Sequence, residues 1–288
     1  MKQEKSYSPS GIILFTFLLC FVIRFIDAII IRLDQTIVNE NFIHKVLGIV
    51  ILAVALRLAR LSWKDIGFDV KKLYIPALLG LALGVARFAV GYGIEFVILS
   101  AQGKNPTLDF SLRSFSVDGA TIELPVYWIF VAIVFNIINA IMEDGIFRGL
   151  FITLYKRKYR FAIANTLAAL LFGVWHIVMP IRSWLDGNMT FPGMIFYSVG
   201  YTLLSASIAL MWGLLFEMTG VVWIGMADHF FNNTIINLLH VTTNTGIDEL
   251  QIVRALIAQL LALVLVTVLY FRKRRQSACK KDKPSVAL

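Results

Sequence analysis

Charged residues are scarce in this chain. Asp, Glu, Lys and Arg make up 16% of 288 residues, against roughly a quarter in an ordinary soluble domain. Scarcity at that level, sustained along the whole length, excludes a water-solvated globule. Cysteine is rarer still: Cys20 lies in an apolar run and Cys279 near the C-terminal end. Two such residues give neither a disulfide framework nor a cysteine-based metal site. No Pro- or Gly-rich linker, low-complexity stretch or internal repeat marks off a second domain. Only four histidines occur, His44, His176, His229 and His240, which narrows the search for chemistry.

Apolar residues are plentiful, at 58% with a mean hydropathy of +0.77. About 20 apolar residues span a bilayer. The runs predict crossings near residues 11–33, 46–61, 73–100, 124–148, 161–179, 194–216, 220–240 and 250–271. The expected fold is all-α, a polytopic transmembrane bundle of about eight helices. It forms a single membrane-embedded domain over residues 11–271, between an N-terminal tail (1–10) and a basic tail (272–288). A net charge of +9 would suit nucleic acid, but the basic residues gather in short segments between apolar runs. That is the positive-inside pattern. The lipid bilayer is therefore the expected partner and nucleic acid is not. Both termini are expected in the cytoplasm, in a cell-membrane protein, with the basic tail resting on anionic headgroups.

Charge inside an apolar run is informative, because it costs roughly 2.5–3.5 kcal/mol at the centre of a membrane helix. The run from Val126 to Met142 ends on Glu143-Asp144-Gly145-Ile146-Phe147-Arg148. Asp144 and Arg148 are four apart on one helical face and can neutralise each other. Glu143 is about 100° away around the helix and has no such partner. Arg24 and Asp27, three apart, are expected to pair within the first helix. Arg87 and Glu95 are expected to face neighbouring helices, and Gly80 and Gly84 form a small-xxx-small pair suited to close packing.

His44 and His240 sit at helix ends and are expected to be interfacial. His176 and His229 lie within apolar segments. Phe172 shares a face with His176, and Asn233 with His229, each pair at i, i+4. A lone histidine in such a helix commonly serves a buried hydrogen bond. Two histidines, a glutamate and an asparagine on three separate helices form a candidate catalytic set. Glutamate can act as general base, two imidazoles with a carboxylate match a zinc-type ligand set, and asparagine can steady an oxyanion.

The chain resembles the CPBP family of membrane-embedded proteases, which includes type II CAAX prenyl endopeptidases and bacteriocin-processing, Abi-like self-immunity proteins. The family's Glu-Glu-x-x-x-Arg corresponds to Glu143-Asp144-Gly-Ile-Phe-Arg148, its Phe-x-x-x-His to Phe172-Gly-Val-Trp-His176, and its His-x-x-x-Asn to His229-Phe-Phe-Asn-Asn233. Gly213-Leu-Leu-Phe-Glu-Met-Thr-Gly220 and, more faintly, Trp63-Lys-Asp-Ile-Gly67 are similar to other family stretches. The resemblance covers residues 123–240. It implies an intramembrane metalloprotease, with Glu143 activating water assisted by His176. His229 and Asn233 would bind the water or metal and stabilise the tetrahedral intermediate. Asp144, Arg148 and Phe172 would support them. A divalent metal such as zinc would have His176, His229 and Glu143 as candidate ligands. The implied partner is a peptide or membrane-protein substrate. Asp144 departs from the family's second glutamate, and some family members are non-catalytic.

Two other readings stand beside protease at this stage. One is a non-catalytic membrane scaffold, immunity or regulatory protein. The other is a transporter using Arg24, Asp27, Arg87 and Glu95 as a charged path, although the paired repeat typical of transporters is missing. Depth is a further expectation: counted from Arg160, His176 falls some 16 residues into its helix, deeper than Glu143 or His229.

Overall fold

The structure, a computed structural model, describes residues 7–113 and 123–281. Parts of the expected N-terminal tail (1–6), of one loop (114–122) and of the basic tail (282–288) lie outside the described residues. In chain order the helices are α1 (Pro9–Phe25), α2 (Ile43–Ala59), α3 (Tyr74–Ala101), α4 (Trp128–Glu143), α5 (Ile152–Tyr155), α6 (Phe161–Trp175), α7 (Val178–Leu185), α8 (Phe191–Thr219), α9 (Trp223–Leu238) and α10 (Gln251–Lys281). Two π-helical turns extend this set: Ile26–Ile31 continues α1, and Asp144–Phe151 joins α4 to α5. The short strands β1 (Thr107–Phe110) and β4 (Leu239–Thr242) pair antiparallel, as do β2 (Leu112–Arg113) and β3 (Glu123–Leu124).

Local signals set the helix ends. The Ser8 hydroxyl accepts from the Gly11 N–H at 3.1 Å, just ahead of Pro9. Thr190 caps α8 in the same way, with Pro192 in the first turn. Gly220, at φ 70°, closes α8 in the left-handed region that favours glycine.

The chain is a multi-pass membrane bundle. Among the described residues, six helical segments are long and apolar enough to cross: Pro9–Gln35, Tyr74–Ala101, Trp128–Tyr155, Phe161–Leu185, Phe191–Thr219 and Gln251–Ala278. A seventh candidate, α2 with Lys64–Lys72, is bent by 105°. The predicted seventh crossing is α9, only 16 residues long, or about 24 Å at 1.5 Å per residue. It is enclosed by α3, α4 and α8, which suits its polar content. At its start, Trp223 Nε1 donates to the Asp69 carbonyl at 2.8 Å and the Val222 N–H to Gly67 at 3.2 Å.

Small residues let the helices approach. A Cβ on Gly80 would stand 2.2 Å from the Ile224 carbonyl oxygen, and one on Gly84 2.6 Å from Phe231. The predicted small-xxx-small pair thus seats α9 on α3. Arg87 and Glu95 both face neighbouring helices as expected. Arg87 donates to Asp228 of α9 through Nε at 3.0 Å and Nη2 at 3.2 Å, and Arg254 of α10 donates to Glu95 at 2.5 Å.

The expected Arg24–Asp27 pair does not form. Asp27 instead accepts from the His44 ring Nδ1 at 2.6 Å and from the His44 backbone N–H at 3.0 Å. The π-helical turn at Ile26 places Asp27 toward α2, while Arg24 turns toward Glu143. His44 and His240, at the ends of their helices, are both buried within the protein. His240 ties the loop between α9 and α10 together, with Nδ1 at 2.5 Å from Asp248 and Nε2 at 3.0 Å from the Ser111 carbonyl. Burial pushes the Asp248 carboxyl up, but hydrogen bonds from His240 and from the Val241 N–H outweigh it and hold the group below its usual range. Beside it, Lys104, Thr245 and Thr243 bring exposed Glu249 down to about 2.

Candidate active site

The site begins where α4 passes into the π-helical turn. In that wider turn Glu143 and Asp144, adjacent in sequence, both reach His229 of α9. Asp144 Oδ2 lies 2.9 Å from His229 Nδ1, and Glu143 Oε2 lies 3.4 Å from Nε2. Both ring nitrogens thus face a carboxylate, the nearer being Asp144 at Nδ1, and the Asn233 amide nitrogen lies 3.2 Å from Nε2. π-helical turns of this kind recur at functional sites. Gly145 and Gly149 let this one sit close to α2 and to Ile66, since Cβ atoms there would meet Leu52 at 2.5 Å and the Ile66 carbonyl oxygen at 2.9 Å.

Aromatic side chains hold the polar ones in place. Trp212 of α8 stacks on His229, with ring centroids 4.3 Å apart, and donates to Asp228 at 2.8 Å. Arg148 lies 3.3 Å from Asp144 Oδ1, as the i, i+4 spacing predicts. None of its nitrogens makes a hydrogen bond among the described residues. Its guanidinium rests instead on Phe172 at 3.8 Å and Trp212 at 4.5 Å from the ring centroids, a cation–π arrangement. Phe172 also contacts the His176 ring at 4.6 Å, so its role is packing.

His176 ends α6. Its Nδ1 donates to the Phe172 carbonyl at 2.8 Å, which leaves the Nε2 lone pair available. It opens on the same cavity of about 770 Å³ that Glu143, His229 and Asn233 line. His44, Arg24 and Tyr201 line it too. The predicted depth mismatch does not arise. Trp175, next to His176, donates through Nε1 to Glu143 at 2.7 Å, so the end of α6 is level with the end of α4. Glu143 lies 12 residues before the end of α5 and Trp175 14 residues past the start of α6, close to matched rises on antiparallel helices.

Glu143, Asp144, His229 and Asn233 are therefore in direct contact, with His176 across the same cavity. Among the described residues, no three His, Cys, Asp or Glu side chains gather as a metal ligand set. The candidate ligands His176, His229 and Glu143 do not fit a preformed metal centre in this arrangement.

Residues 125–235 match the family described as type II CAAX prenyl endopeptidase Rce1-like. Over these residues the chain is similar to that family. No curated protein matches the chain. The Rce1-like segment holds all four predicted catalytic residues, and its presence bears out the resemblance read from the three motifs.

Three contributors escape the motifs. Arg24, from α1, lies 3.4 Å from Glu143 Oε1. Trp175 holds that same oxygen. Asp228 anchors both Trp212 and Arg87. Asp228 could have been noticed as an acid beside a motif histidine, whereas the two tryptophans are indistinguishable by hydropathy from their apolar neighbours.

Proposed function

We propose that the chain is an intramembrane endopeptidase that hydrolyses a peptide bond by glutamate-activated water. The observation that carries this reading is the convergence of Glu143, His229 and Asn233 at a cavity that also presents the His176 Nε2 lone pair. A water between Glu143 Oε2 and His176 Nε2 would give its proton to Glu143 as its oxygen attacks the peptide carbonyl carbon. The Asn233 amide, held against His229, supplies a donor for the developing oxyanion. Collapse then breaks the C–N bond, and the proton on Glu143 passes to the leaving amine. Asp144 holds the His229 ring in place throughout.

The cavity walls are largely apolar inside a membrane bundle, so the substrate is a hydrophobic, lipidated or membrane-held segment. Candidates are a pheromone or bacteriocin precursor, or another membrane protein, processed at the cell membrane by a protein with both termini cytoplasmic. The test is cleavage of fluorogenic peptides, one apolar and one farnesylated, by the purified full-length chain. Glu143→Ala and His176→Ala should each lower the rate at least ~100-fold, the scale of a lost acid–base group. Equal cleavage by parent and both variants would overturn the reading.

A non-catalytic scaffold is the second reading. The engagement of Glu143 by Arg24 and Trp175, which also suits a purely structural charge, favours it. It predicts that Glu143→Gln leaves the cellular phenotype intact.

A further inference from the structure

Glu143 does not present its two carboxylate oxygens alike. Oε1 receives the Trp175 indole N–H at 2.7 Å and faces Arg24 Nη1 at 3.4 Å, whereas among the described residues Oε2 faces His229 Nε2, at 3.4 Å. The two groups on Oε1 also brace each other, because the Arg24 guanidinium lies 4.5 Å over the Trp175 ring. Arg24 comes from α1, far outside the Rce1-like segment at residues 125–235. The acid nearest to it in sequence, Asp27, is committed to His44. The Arg24 side chain is 11% exposed, toward the cavity.

We propose that Arg24 is a positioning residue for Glu143. With Trp175 it fixes Oε1, so that Oε2 is the oxygen turned toward His229 and the reacting water. A glutamate side chain has three rotatable bonds, and one oxygen tied at two points leaves the other a single direction. A base is effective only when it is aimed at the proton it removes. A helix outside the motif-bearing segment thus completes the site.

This proposal rests on the protease reading, and its test separates the two. Full-length parent, Arg24→Met and Arg24→Lys are assayed on the apolar and farnesylated peptides. Thermal unfolding is followed for Arg24→Met, Glu143→Gln and the double variant. The expected result is a kcat for Arg24→Met lower by about 100-fold, the scale of a ~1 Å misplacement of a reacting group, with KM unchanged. Arg24→Lys, which keeps the charge, should recover part of kcat. The Tm shifts should be non-additive, because the two groups act on each other. Wild-type kcat in Arg24→Met, a fall in kcat that Arg24→Lys does not relieve at all, or additive Tm shifts would overturn it. If the parent cleaves neither peptide while the Tm shifts remain non-additive, the protease reading fails. The ion pair then survives, and the positioning role falls with the protease reading.

Discussion

Asp144 serves two partners with its two oxygens, His229 through Oδ2 and Arg148 through Oδ1. The family's usual glutamate would carry one more methylene, and here the shorter side chain reaches the imidazole at 2.9 Å. Asp144→Asn keeps the shape but loses the charge and one of the two oxygens that serve His229 and Arg148. It should lower kcat about 10–100-fold, the usual cost of removing the group that orients a functional histidine. Unchanged kcat in the purified variant would show that His229 needs no such orientation. At this scale the candidates were legible because each is polar within an apolar run. Their partners were not. Arg24 has an acid three residues away, yet pairs with one 119 residues away, and spacing cannot choose between the two.

At the scale of elements, the join from α4 to α5 decides the site, and nothing in hydropathy announces it. Gly145 and Gly149 were the available hint, two small residues where the backbone must approach its neighbours. The break after α6, where Trp175 meets Glu143, is equally silent in hydropathy. That α3 packs closely on some neighbour was better advertised, by Gly80 and Gly84, and its contact with α9 carries a test. Gly80→Ala forces a Cβ to within 2.2 Å of a backbone oxygen and should cost ~1–3 kcal/mol, as over-packing does. Gly93→Ala is the control, since nothing lies within 4 Å of a Cβ there. Thermal unfolding in detergent should drop for the first and not for the second. The loop between α9 and α10 answers to acid. Asp248 and Glu249 both titrate below their ordinary values, so the stability they contribute is present above pH 4.5 or so. It is lost as pH falls through the folded values, down to about 2 for Glu249. Hydrogen exchange over residues 239–250, corrected for intrinsic rates, should rise across that window.

For the molecule as a whole, the membrane class was readable from composition and run length alone. The bundle's outer surface agrees, with side chains such as Phe130, Phe196 and Val264 more than half exposed, as lipid-facing residues are. Which helices touch was not readable, because every run is apolar and any pairing of them buries similar surface. The ion pairs record the answer. Arg24 meets Glu143 across 119 residues, Arg87 meets Asp228 across 141, and Arg254 meets Glu95 across 159. That record has a consequence for the nascent chain. At ~5–20 residues per second, a ribosome needs roughly 6–24 s after making Arg24 to make Glu143. Arg87 and Glu95 wait longer still. Helices α1 and α3 are thus made carrying charges whose partners in the folded bundle have not yet been synthesised. Assembly is therefore incomplete when the first helices are made: α4 supplies the partner of α1, and α9 and α10 supply those of α3.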